Sequence, residues 1–82
     1  MPRFFFDLID GAEVTEDVDG VDLTNVEVAI AEAVQGARDL VAHGIMENED
    51  VSGQSFRIRD NDGNTVARVV FREALPGRLR SG

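Results

Sequence analysis

Closely spaced acids are the first places to look for chemistry, and two stretches qualify: DVDGVD at positions 17–22 and DNDGN at 60–64. Both resemble pieces of a calcium loop. A loop of the EF-hand kind needs acids at its first, third and fifth positions, glycine at the sixth and glutamate at the twelfth. Counted from Asp17, the glycine is fourth and Val28 is twelfth; counted from Asp60, the glycine is again fourth and Phe71 is twelfth. Neither fits, and the turn-forming habits of Asp and Gly account for both. His43, the sole histidine, follows Asp39 by four residues, a spacing that would allow an acid–imidazole pair on a helix. No serine or cysteine stands at a partner position to act as nucleophile. A histidine in the last turn of a helix is explained by its favourable charge against the helix dipole. The chain has no cysteine, so a zinc site would lack ligands. Carboxylates pair here through abundance alone, which carries no signal for acid–base catalysis. The expectation is a protein that is not an enzyme, with no catalytic residue, metal or cofactor.

The arginines offer a different chemistry. Arg57, Arg59, Arg68 and Arg72, with Phe5 among them, would make a basic sheet face bearing one aromatic ring, of the sort on which single-stranded RNA stacks. Against that stand the net charge of −8 and the lack of a second exposed aromatic. Nucleic acid is therefore disfavoured as a partner, as is an anionic membrane, because both need an attractive field. The charge is also unevenly distributed: residues 1–50 carry 13 acids and two arginines, residues 51–82 three acids and six arginines. The two halves should attract each other. All eight basic residues are arginine, which favours planar, bidentate contacts with carboxylate or phosphate.

These residues must be positioned by one small domain, since 82 residues can bury a single thin core. The absence of cysteine fits a reducing compartment, and no apolar run approaches the roughly 18 residues of a membrane span. A cytoplasmic protein is expected. RFFFDLID at 3–10 reads as a strand from its aromatic and branched residues, and Asp10-Gly11 as a hairpin turn. The return strand falls within AEVTEDV at 12–18, where the acids suggest an edge.

The segment from about Asn25 to about His43 carries the helix signals. Thr24 with Glu27 forms a capping box and Leu23 with Val28 a hydrophobic staple. Val26, Ala29, Ile30, Ala33, Val34, Ala37, Leu40 and Val41 fall on one stripe. Gly44 stands where a left-handed C-terminal residue is wanted, with Ile45 placed to touch Leu40. QSFRIRD and TVARVVF, joined by NDGN, then make a second hairpin. If Asp62-Gly63 is its tip, Asp60 pairs with Thr65, Ile58 with Ala67, Phe56 with Val69, Arg57 with Arg68 and Ser55 with Val70. Arginines directly opposite one another repel, so an anion is expected beside them. A helical turn at Arg72–Leu75 ends at Pro76-Gly77, and residues 76–82 are expected to be a disordered tail after a domain spanning 1–75.

The architecture that follows is α+β, in the order β-β-α-β-β: four antiparallel strands with one helix on one face. Phe4, Phe6, Leu8, Phe56, Ile58, Val69 and Phe71 take the helix side. Phe5, Asp7, Ile9, Arg57, Arg59, Val66, Arg68 and Val70 take the far side and form the candidate interaction face. Covering its apolar members is worth several kcal/mol at about 1.5–3 kcal/mol per side chain. A homodimer is the favoured cover, with Asp7 of one chain meeting an arginine of the other; the competing cover is the C-terminal segment with Leu75 and Leu79. A further partner would be a protein strand added at a sheet edge. The functional expectation is thus a small non-catalytic protein-interaction module that self-associates through its sheet. The runner-up is a weak RNA-binding or regulatory protein-binding domain using the arginine face.

PRFFFDLIDG at the start, DLTNVEVAIAEAVQGARDL in the middle and FRIRDNDGNTVARVVFREAL near the end resemble a family of small uncharacterised domains common in alphaproteobacteria. Members begin with an Arg-Tyr-Phe-Phe-Asp-like strand and an Asp-Gly turn, continue through an alanine-rich helix and end in a Val-x-Asp-x-x-Gly hairpin. Phe4 stands where tyrosine is frequent, so any role of that hydroxyl would be missing. The resemblance spans Pro2 to about Leu75 and implies the fold and a bacterial cytosolic setting, with no active residue to carry over.

Overall fold

In the computed structural model, residues 1–74 are described. The expected tail at 76–82, and the proposed cover by Leu75 and Leu79, lie outside them. β1 (Arg3–Asp10) is the central strand. One edge of it pairs antiparallel with β4 (Ser55–Arg59), and β4 pairs in turn with β5 (Thr65–Val70). The other edge pairs with β2 (Glu13–Thr15) and then with β3 (Val21–Asp22), which gives five strands where four were expected. Leu8 faces Thr15 and Phe4 faces Val21, so four steps along β1 match six along the returning chain. The surplus residues leave the ladder, which divides the expected return strand into two short pieces.

The second hairpin keeps the expected pairs from Ser55–Val70 to Ile58–Ala67, and the register then shifts so that Arg59 faces Thr65. Val66 is the extra residue of this bulge. It was expected on the far face; with the bulge it packs, like Ala67, against the core cluster.

α1 (Val26–Met46) lies on β4, β5 and the short α2 (Phe71–Ala74). Its buried face is Ala29, Ala33, Ala37, Val41 and Gly44, small residues that let the helix sit close to Phe4, Ile58, Val69 and Phe71. Ile58 and Phe71 have no exposed surface. Phe56 packs 5.0 Å from Phe71 between ring centroids. Phe71, expected at the end of a strand, opens α2 instead, yet its N–H still donates to the Gln54 carbonyl at 2.9 Å, so the chain turns without leaving the sheet.

Both ends of α1 differ from expectation by a few residues. The N-cap is Asn25, whose Oδ1 accepts from Val28 N at 2.9 Å, in place of Thr24. Gly44 lies inside the helix, where a side chain would collide with the Glu49 carbonyl at 2.7 Å. The left-handed residue is Asn48, at φ 61°. Asn48 N donates to Ile45 O and Glu49 N to Gly44 O, which is the Schellman pattern moved one turn on.

Candidate functional site

The sheet face away from α1 is arranged in rows across the strands. Val14, Ile9, Ser55 and Val70 form one row, Asp7, Arg57 and Arg68 the next, and Phe5 with Arg59 a third. Seven of the eight residues expected to share this face do so; Val66 is the exception.

Asp7 is the centre. Its side chain is fully buried although it stands on the outer face. Oδ2 accepts from Arg57 Nε at 2.9 Å and Arg59 Nε at 2.6 Å, and Arg57 Nη2 lies 2.8 Å away. Oδ1 accepts from Arg59 Nη2 at 3.0 Å and from the Asp17 backbone N–H at 3.1 Å. Four hydrogen bonds take up the roughly four lone-pair sites of a carboxylate. Asp7 is therefore an anion for Arg57, on the side of it away from Arg68, and its carboxylate, expected to meet an arginine of a second copy, is held by arginines of its own chain. Burial pushes the Asp7 carboxyl up, but hydrogen bonds from Arg59, Asp17 N and Arg57 outweigh it and bring the pKa down from 3.8 to about 2. The same bond, donated to Asp7, raises the pKa of the Arg59 guanidinium.

Asp17 completes the cluster, although its sequence context signals only a turn. That chemistry is present: Oδ1 accepts from Asp19 N at 3.2 Å and Gly20 N at 3.1 Å. Its Oδ2 also accepts from Phe6 N at 3.0 Å, so a side chain occupies the stretch of the β1 edge that β2 and β3 leave open. Burial raises the Asp17 pKa, and the backbone donors Phe6, Gly20 and Asp19 lower it further than burial lifts it.

Phe5 is covered from within the chain. The Arg59 guanidinium carbon lies 5.2 Å above its ring centroid. On the edge of the ring sits Gly20, where a Cβ would come within 2.8 Å of Phe5 Cε2. One face that a stacking base would use is thereby taken by Arg59, and the ring remains half-buried. Arg72 belongs to α2 and is exposed there, apart from the other arginines.

Among the described residues, Nη1 of Arg57 and of Arg59 makes no hydrogen bond and Arg68 makes no ion pair, so the rim of the cluster presents donors suited to a carboxylate or phosphate. Asp60 Oδ1 accepts from Asp62 N and Asn64 N, and the hairpin tip is thus a self-contained turn. Among the described residues no three His, Cys, Asp or Glu side chains converge to hold a metal, and no helix is long and apolar enough to cross a membrane.

No curated protein and no solved structure matches this chain. A family profile does, over residues 3–72, the span that runs from the first residue of β1 into α2 and takes in the whole Asp7 cluster. The chain belongs to the family described as Domain of unknown function (DUF6894).

Proposed function

We propose that this domain is a non-catalytic protein-interaction module that joins two copies of itself along the open β5 edge and the apolar row beside it. The observation that carries the reading is that β5, among the described residues, pairs with β4 alone while its outward Val70 ends the row Val14–Ile9–Ser55–Val70. An unpaired edge is a template for another strand, and a twofold axis beside β5 would bring two such rows together. Val14 is 45% exposed, and Ile9 and Val70 are half-buried, so the row still has apolar surface to lose. The non-catalytic reading is supported by the cluster's central carboxylate, Asp7, being buried and held by Arg57 and Arg59.

Light scattering tests the reading. The native chain is expected at the mass of two copies and Val70→Asp at the mass of one, with unchanged circular dichroism. A native chain of single mass would overturn it. Phe5→Glu is a poor probe, because the Gly20 contact makes Phe5 part of the fold. Arg59 over one face of Phe5 weighs against the RNA reading, and co-purified RNA lost with rising salt would favour it.

A further inference from the structure

On the helix side of the sheet, α1 leans over β4 and β5 and leaves the β1 side open. A cavity of about 220 Å³ lies there, lined by Phe6, Val21, Glu32, Ala33, Gly36 and Phe56. Phe6 and Phe56 meet nearly at right angles, 87° between ring planes and 6.4 Å between centroids, and form two walls of a corner. The helix supplies the third wall at Gly36. A Cβ there would stand 3.5 Å from Phe56 Cε2 and 3.8 Å from Cζ, which is ordinary contact. Packing therefore does not require glycine at this position, and glycine is among the poorest residues for a helix interior. What the missing side chain provides is space in the cavity.

Glu32, one turn before Gly36, is the only ionisable group in the lining, and it is exposed. No arginine lines the cavity, and the protein carries a net charge of −8. Aromatic faces and a carboxylate both attract a cation. We propose that this cavity is a binding site for a small organic monocation with an apolar or aromatic body, the body in the corner that Phe6 and Phe56 form and the ammonium group at Glu32. The cavity is smaller than the roughly 300 Å³ at which sites for drug-sized ligands begin, so the ligand is a single ring or short chain. The site lies on the opposite side of the sheet from the proposed dimer contact and does not depend on it.

Phenethylammonium and phenylacetate, which share a body and differ in the sign of their charge, separate the possibilities in amide-resolved NMR titrations of the full chain. Phenethylammonium is expected to shift the amides of Phe6, Gly36 and Phe56 to saturation, with phenylacetate about tenfold weaker. Glu32→Gln should weaken the cation about threefold, within the range of an exposed ion pair. Gly36→Leu should abolish the shifts with the helical dichroism retained. Should that variant not fold, Gly36→Ala is expected to raise the thermal midpoint while weakening the cation. Equal binding of the anion, or unmoved amides, would overturn the proposal. So would shifts at the same amides on raising protein concentration alone, which would assign the cavity to a second copy.

Discussion

Asp7 has no exposed surface, and its two arginine partners are only 26% and 20% exposed, so the three side chains act as one partly dry unit. Removing the carboxylate leaves two guanidinium groups opposed with nothing between them. Asp7→Ala should therefore cost about 3 kcal/mol, at the lower end of the range for breaking a buried pair because the arginine heads still reach water. Arg57→Ala should cost less than Arg59→Ala, since Arg59 binds both carboxylate oxygens and Arg57 only one. Urea unfolding of the three variants gives the order. A pH dependence follows from the Asp7 pKa of about 2, lowered from 3.8. A carboxyl that ionises more readily when folded lends stability that is complete above the unfolded value and disappears as pH falls through the folded one. That contribution is about 2 kcal/mol, and it should be lost between roughly pH 4 and pH 2. Asp7→Asn should flatten this part of the stability profile; an unchanged slope would place the effect on other carboxylates. The alternation of β1 made the outward side of Asp7 legible from sequence, and the Arg57–Arg68 clash made an anion necessary. The role of Asp17 was not legible, because its bond to Phe6 N depends on the path of an irregular loop that no periodicity encodes.

The loop from Glu16 to Gly20 works as a replacement for strand, and Gly20 is its closest approach to the sheet. With φ at +68° and a would-be Cβ within 2.9 Å of Arg3 Cγ and the Phe4 carbonyl, Gly20 meets both a conformational and a steric limit. Gly11 has a similar φ of +61° but nothing within 4 Å. Gly11→Ala should thus cost only the left-handed penalty of about 1–2 kcal/mol. Gly20→Ala should cost about 1–3 kcal/mol more, from overpacking against Phe5. Thermal unfolding of the pair measures the difference, and equal midpoints would mean that Phe5 is not held by this loop. At the helix, Asn25→Ala should cost about 1 kcal/mol and Thr24→Ala almost nothing. The helix itself was readable from its apolar stripe, whereas its ends were not. Thr24 and Asn25 are both good caps by residue type, so type alone does not choose between them. Gly44 looked like a terminus because close packing against Glu49 and a left-handed turn both call for the same residue.

Across the whole molecule, the attraction between the acidic first half and the arginine-rich second half is concentrated at one place. Asp7 reaches Arg57 and Arg59 across 50 and 52 residues of sequence and ties the first hairpin to the second. That much was implicit in the charge distribution. The strand split and the Val66 bulge were not, because each inserts residues that break the alternation from which register is read. Most remaining acids are exposed and see one another through water. The exposed pair Arg3–Asp22, at 48% and 49% exposure, is the other ion pair among the described residues and is worth little. Salt thus acts on two opposing terms of unequal size. It weakens Arg3–Asp22 by a few tenths of a kcal/mol, barely reaches the buried Asp7 cluster, and relieves the mutual repulsion behind a net charge of −8. The balance favours stabilisation. Raising sodium chloride from about 10 mM to about 150 mM shortens the screening length from about 30 Å to about 8 Å. The thermal midpoint should rise, by about 4–8 °C if the relief is worth about 1 kcal/mol. Chloride is the right anion for the measurement, since sulfate would stabilise by exclusion from the surface whatever the charge. A midpoint that falls instead would mean that exposed ion pairs, and not repulsion among the acids, dominate the electrostatics of this fold.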